Sequence, residues 1–312
     1  MITEPLTDLF EGQGLKISPD SNEKILDLDY NEIVTLFEQH GVILFRGFDL
    51  DPYEITHVAN VYTERYAVDA NRRATRFQDK QSVVRDVDSH NIENGDSSVL
   101  LHSEASFTPA WPELIWFYCH IPPIDGGNTI LCDGVKLWEK LSFTTKDMFL
   151  AEPVRYELKI PVAKKRPGKG KRPWISRTPG LKGGILDWNT GLLHTTQLRY
   201  AVQEGRSTNN LCFANHLIVT LESEPQITNR AMCSGLEIPT NIMDEIFYNS
   251  DLLTYDHNWQ KSDFLMIDNQ RIMHGRRTFP RGDPRDIVII QTARASFGFG
   301  STTRKSLITE AS

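Results

Sequence analysis

Runs of consecutive apolar residues, rather than strict alternation, punctuate this chain. Val42-Ile43-Leu44-Phe45, Leu114-Ile115-Trp116-Phe117-Tyr118-Cys119, Phe264-Leu265-Met266-Ile267 and Ile287-Val288-Ile289-Ile290 are short and rich in β-branched or aromatic residues. That combination predicts strands buried in a sheet. Asn128 to Leu131, after the turn Pro122 to Gly127, and Phe213 to Val219 read the same way. Helical spacing occurs in four places. Ile25, Leu26, Ile33, Leu36 and Phe37 mark a helix within 22–40, with Asp29 or Asn31 as its cap and Gly41 as its stop. Pro52 to Tyr62, Val135 to Leu141 and Asn241 to Tyr248 give the others, the last with Asn241 as a cap and Asp244 and Glu245 near its positive end.

Many strands, few helices and Gly/Pro turns predict a mainly β fold with flanking helices, built on a double-stranded jelly-roll core. Two stretches depart from the pattern. Residues 66–98, with Arg72, Arg73, Arg76, Asp86, Asp88, Ser89, His90 and Asn91, read as a solvated loop or as a loop over a substrate. Residues 155–182 crowd Arg155, Lys159, Lys164, Lys165, Arg166, Lys169, Lys171, Arg172, Arg177 and Lys182 into one segment, where Gly168, Gly170 and Pro173 argue against a regular element. The segment reads as an exposed loop, an active-site lid, or a dock for an acidic partner. The tail from Ser301 to Ser312 reads as frayed. No repeat or linker divides residues 1–312, so a single domain is expected, with its core at about 20–297 and a basic lid-like insert at 155–182.

Composition narrows the class. The chain is 39% hydrophobic and 24% charged, ordinary for a globular protein, and its net charge of -7 argues against general nucleic-acid binding. Its four cysteines form no C-x-x-C pair, which excludes the common zinc and thiol-redox motifs and fits a reducing cytosol. Met1-Ile2-Thr3-Glu4-Pro5 does not open a secretory signal, and no apolar stretch approaches the roughly 18 residues of a membrane helix. A cytoplasmic protein without membrane partners is expected.

The candidate chemistry centres on His102-Ser103-Glu104. On a strand, residues two apart share a face, so an imidazole and a carboxylate would stand side by side. Those are two of the three ligands of a non-haem iron facial triad, which leaves open positions for substrate and oxygen. His274 is the candidate for the third.

Taken with Gly126-Gly127-Asn128-Thr129 and with Asp263 to Arg276 followed by Pro284-Arg285, this motif resembles the taurine dioxygenase superfamily of iron(II), 2-oxoglutarate-dependent oxygenases. The strand ending Phe45-Arg46-Gly47-Phe48 fits the same family, and the resemblance runs from about residue 20 to 297. It implies that His102, Glu104 and His274 ligate Fe(II). It implies further that the Thr129 hydroxyl and the Arg285 guanidinium hold the distal carboxylate of 2-oxoglutarate, and that O2 is consumed as succinate forms. An always-charged bidentate donor suits a buried carboxylate. Glu104 stands where the family usually has Asp, as in the branch containing clavaminate synthase, and an intact carboxylate argues against halogenation. Ile289 stands where taurine dioxygenase has its sulfonate-binding Arg, which argues against a taurine-like substrate.

The resemblance therefore implies hydroxylation of a small amino-acid-like substrate, free or tethered to an acidic carrier protein, in specialised (antibiotic) biosynthesis. Desaturation and epoxidation share the same ligand set. A β-barrel binding protein with a vestigial site is the contrasting class. Arg276 and Arg277 face substrate or solvent, Asp268 and Asn269 shape a turn, and His40, His57, His120, His194, His216 and His257 read as structural or exposed residues without partners.

Overall fold

The uninterrupted apolar runs belong to sheets that are covered on both faces. The computed structural model describes residues 1–6, 14–51, 54–67, 98–109, 111–175, 183–205 and 210–298. Its largest sheet has seven strands, in the order Ile2–Pro5, Leu15–Ser18, Val42–Phe45, Phe264–Asp268, Leu114–Ile121, Asp286–Ala295 and Thr63–Tyr66. One face carries Ile43, Phe45, Trp116, Tyr118, Phe264, Met266, Val288 and Ile290. These pack with Ile33 and Phe37 of the helix Tyr30–His40 and with Ile55, Val58 and Ala59 of the helix Ile55–Val61. The other face carries Val42, Leu44, Ile115, Phe117, Cys119, Leu265, Ile267 and Ile287, which meet Leu131, Trp259 and Ile272. Both parities are therefore apolar, as in any sheet sandwiched between two layers.

Leu131 and Ile272 belong to the opposing four-stranded sheet, in the order Tyr255–His257, Thr129–Asp133, Ile272–Arg276 and Val99–His102. Its outer residues Leu101, Ile130, Cys132 and Met273 join a third apolar cluster. That cluster takes in residues of the helices Gly134–Lys140 and Thr240–Leu252 and of the first two strands of a five-stranded sheet, whose order is Ile227–Met232, Val154–Pro161, Leu192–Arg199, Gly184–Asp187 and Lys171–Trp174. Among the described residues every strand pairing is antiparallel except that of Leu15–Ser18 with Val42–Phe45. This is the expected mainly β jelly-roll core with flanking helices.

Local chemistry sets the boundaries. The Asp29 carboxylate accepts from the Glu32 N–H at 2.9 Å and caps the first long helix, and Gly41 at φ 70° ends it. All four cysteines are free, three of them buried. No helix among the described residues is long and apolar enough to cross a membrane.

Three expectations are corrected. The basic segment contains regular structure, because Val154–Pro161 and Lys171–Trp174 are both strands. Its glycines lie between them, Gly168 at φ 84° and Gly170 at φ 66°. Pro173 is tolerated because its strand is at the sheet edge. Residues 213–219 form a buried succession of bends instead of a strand. There the Asn215 side chain donates to the Ala201 carbonyl and accepts from the Leu217 N–H, both at 2.9 Å, while the Arg230 guanidinium donates to the carbonyls of His216 and Val219. Side chains thus satisfy the backbone in place of a ladder. Finally, the helix Thr240–Leu252 has no side-chain cap. Glu245 instead accepts from the Ser142 N–H, the Ser142 hydroxyl and the Thr145 hydroxyl at the start of a further helix, Phe143–Ala151. The readings made for Arg72 to Asn91, for Arg177 and Lys182, and for the tail lie outside the described residues.

Candidate metal centre

His274 lies on the strand Ile272–Arg276, directly opposite His102 in antiparallel register. The two imidazole centroids are 4.6 Å apart. Glu104 is not on the strand with His102. That strand ends at His102, and residues 104–107 form a turn in which Ala105 has φ 53°. The turn still brings the carboxylate back, with Glu104 Oε2 3.5 Å from His102 Nε2. One ligand atom from each of His102, Glu104 and His274 lies within 4.8 Å of the others, and among the described residues this is the only such group of three.

Each member is held from behind. The Leu100 carbonyl, 2.8 Å from His102 Nδ1, can only accept, so it keeps the ring proton on Nδ1 and leaves the Nε2 lone pair for a metal. Asn269, in the turn that leads from Phe264–Asp268 in one sheet to the His274 strand in the other, grips Glu104 by its backbone. Its Oδ1 accepts from the Glu104 N–H at 2.8 Å, and its Nδ2 donates to the Glu104 carbonyl at 3.1 Å. Ser103 is buried beneath the turn. Its hydroxyl donates to the Asn269 carbonyl and accepts from the Trp111 indole. The sequence reading that Asn269 shapes a turn was therefore incomplete. Nothing in the sequence pairs it with Glu104, which is 165 positions away.

The electrostatics suit a cation. Burial raises the Glu104 carboxyl, but its hydrogen bond with His102 and the charges of His102 and His274 more than offset this and bring it down to about 2. Burial, followed by the His102 charge, pushes His274 down to about 3. Burial also disfavours the charged form of His102, yet the Glu104 hydrogen bond and charge leave it raised. The set therefore offers an ionised carboxylate and a neutral imidazole at His274. His274 Nδ1 is buried with no hydrogen-bond partner among the described residues. Such an unpaired buried nitrogen, within a two-His, one-carboxylate donor set, fits iron(II).

His216, read from the sequence as a residue without partners, stands behind this centre. Its ring meets His102 edge-on at 5.2 Å and Phe107 at 4.8 Å, and its Nε2 faces Glu224 at 3.6 Å. His257 is likewise buried and partnered, by Asp263 at 3.4 Å. The apolar neighbours Phe107 and Phe117 would have been hard to assign from their runs alone.

Thr129 and Arg285 frame the Gly126–Gly127 turn. The Arg285 Nε donates to the Gly127 carbonyl at 2.9 Å, and Arg285 and Arg276 both lie against the Phe279 ring. Gly127 has φ 61°, and a Cβ there would lie 2.9 Å from Arg285 Cδ, so the side chain can pass only over glycine. Thr129 is opposite Arg276 in the ladder, and its hydroxyl accepts from the Trp259 indole at 3.1 Å. Arg276 is buried, whereas Arg277 is exposed and paired with Asp256 at 2.7 Å.

The model of the taurine catabolism dioxygenase TauD, TfdA family matches residues 3–291. The chain belongs to this family. As a member it is an iron(II)- and 2-oxoglutarate-dependent oxygenase that uses O2. It is 22% identical over 280 residues to a 3-((Z)-2-isocyanoethenyl)-1H-indole synthase of Fischerella ambigua (strain UTEX 1903), with 88% of this chain and 90% of that protein covered. It is 21% identical over 273 residues to the dapdiamide synthesis protein DdaC of Enterobacter agglomerans, covering 80% and 82%. PvcB from Pseudomonas aeruginosa shares the fold, with a TM-score of 0.54, 15% identity, and 90% and 86% of the two chains covered.

Proposed function

We propose that this TauD-family oxygenase hydroxylates an unactivated C–H bond of a small amino-acid-like substrate in natural-product (antibiotic) biosynthesis, converting 2-oxoglutarate to succinate. Residues 1–312 are read as one cytoplasmic oxygenase domain. The convergence of His102, Glu104 and His274 beside the Gly126–Thr129 turn carries this reading. His102, Glu104 and His274 would hold the iron, which supplies oxygen activation when bound with its co-substrate. Arg285 and Thr129 would hold the distal carboxylate of 2-oxoglutarate. The Leu100 carbonyl fixes the proton of His102, Asn269 orients Glu104, and the apolar ring of Phe117 packs against His274 and keeps water from it. The names of these two relatives, an indole synthase and a dapdiamide synthesis protein, refer to making small molecules, which supports the substrate class. The ethenyl group in the indole synthase's name favours desaturation as the alternative outcome of the same site.

Anaerobic titration of the protein with iron(II) and then 2-oxoglutarate tests this reading. A weak visible charge-transfer band should appear. In Arg285→Ala, which loses the charged partner of the distal carboxylate, about tenfold or more 2-oxoglutarate should be needed to reach it. A well-folded protein that gives no band under any condition would return the chain to the class of binding proteins.

One further observation favours a substrate delivered on an acidic carrier protein. Lys164, Lys165, Arg166, Lys169, Lys171 and Arg172 are all exposed on the basic stretch that leads from Val154–Pro161 into the edge strand Lys171–Trp174, in a chain whose net charge is -7. Such a patch steers an acidic partner, and salt screens the attraction. Replacing these six residues with Ser should slow turnover of carrier-tethered substrate several-fold at low salt, with little difference at high salt, and leave 2-oxoglutarate affinity unchanged. Identical kinetics for the two proteins with tethered substrate would eliminate the dock.

A further inference from the structure

Trp259 is 7% exposed and lies between the strands Tyr255–His257 and Phe264–Asp268. Its indole N–H donates to Thr129 Oγ1. One edge of the indole meets the His257 ring, at 4.3 Å between centroids and 87° between planes. His257 is the ladder partner of Thr129 and is itself fixed by Asp263 at 3.4 Å and by the Tyr255 hydroxyl at 3.3 Å. Arg46 grips Asp263 through two N–H groups at 2.8 and 2.6 Å. The indole also packs on Phe117, whose ring meets His274 at 5.3 Å. Trp259 thus spans the distance between the candidate metal ligand and the candidate co-substrate hydroxyl, in a pose set by a buried polar network.

The direction of its hydrogen bond matters. An indole N–H can only donate, whereas a threonine hydroxyl has one proton and two lone pairs. With one lone pair taken by Trp259, the Thr129 proton is left to serve an acceptor. An ionised carboxylate only accepts. We infer that Trp259 is a positioning residue that presents the Thr129 hydroxyl as a donor to the distal carboxylate of 2-oxoglutarate. This rests on the reading of Thr129 given under the proposed function.

The experiment is an anaerobic titration of the iron(II)-loaded protein with 2-oxoglutarate, following the charge-transfer band. Wild type is compared with Trp259→Phe, Thr129→Val, Thr129→Ser and the Trp259→Phe/Thr129→Val pair. Phenylalanine keeps an aromatic ring against His257 and Phe117 and loses only the N–H donor and part of the ring. Trp259→Phe should raise the Kd for 2-oxoglutarate about tenfold, the scale of one hydrogen bond to a charged group, with the iron(II) Kd unchanged. Thr129→Val should raise it at least as far, and Thr129→Ser, which keeps a hydroxyl, should stay near wild type. The double variant should bind no worse than Thr129→Val, because the indole acts through the hydroxyl. Wild-type affinity in Trp259→Phe beside a weakened Thr129→Val would overturn the role of Trp259 and leave that of Thr129 standing. Additive losses in the double variant would also overturn it. Wild-type affinity in Thr129→Val would refute the underlying assignment of Thr129 instead.

Discussion

Glu104→Ala and His274→Ala are each expected to lose iron(II) affinity by well over a hundredfold. Removing a partner that merely orients a ligand costs about 10–100-fold, so removing a ligand itself should exceed that range. Anaerobic equilibrium dialysis of each variant against iron(II) measures the effect directly. His120→Ala is the control. Its imidazole is on the opposing seven-stranded sheet, 6.5 Å from the Tyr118 ring, and belongs to no cluster of ligand atoms among the described residues. It should bind iron as the wild type does. Near-wild-type affinity in both ligand variants would remove the assignment.

The second large effect concerns stability. Arg271 is 2% exposed, and both its Nε and a terminal nitrogen lie 3.0 Å from the fully buried Asp133 carboxylate. Another of its N–H groups donates to the Gln39 carbonyl, joining the turn before the His274 strand to the end of the first helix. Arg271→Ala leaves the Asp133 charge buried without that partner, and breaking such pairs costs about 3–5 kcal/mol. Arg277 and Asp256 make the same kind of pair at the surface, 44% and 39% exposed, where loss of the arginine should cost about 1 kcal/mol or less. Urea denaturation of the two alanine variants gives the comparison. Similar midpoints for both would show that burial does not set the value of the Arg271 pair.

Much of this was legible in the chain. The four apolar runs at 42, 114, 264 and 287 all became strands, because sequence records burial on both faces directly. The run at 213 is equally buried but follows bends. Hydrophobicity reported its environment, while the conformation was decided by the side-chain bonds of Asn215 and by Arg230, 14 positions from His216. The three residues of the candidate centre were visible as motifs. The means of gathering them was not, since the His-X-Glu spacing suggested a strand face and the chain uses a turn through Ala105. Asn269, His216 and Trp259 escaped for a related reason. Their roles rest on contacts with residues far away in sequence, and a residue's type does not name such a partner. The helix Phe143–Ala151 was open to detection, because Ser142 accepts from the Thr145 N–H as an ordinary cap.

The crossover between sheets that bears both Asn269 and His274 has a consequence for how the molecule is made. It closes on residues 102–104 across roughly half the chain, with Asn269 and Glu104 separated by 165 positions. Loops of that length are closed late, after the local helices and hairpins have formed. A partly folded chain therefore has no complete ligand set, and occupancy of the centre becomes a readout of finished folding. Iron that binds only the finished state would pull folding forward by mass action. During synthesis, a redox-active metal would be captured only once the surrounding walls were in place to contain its chemistry.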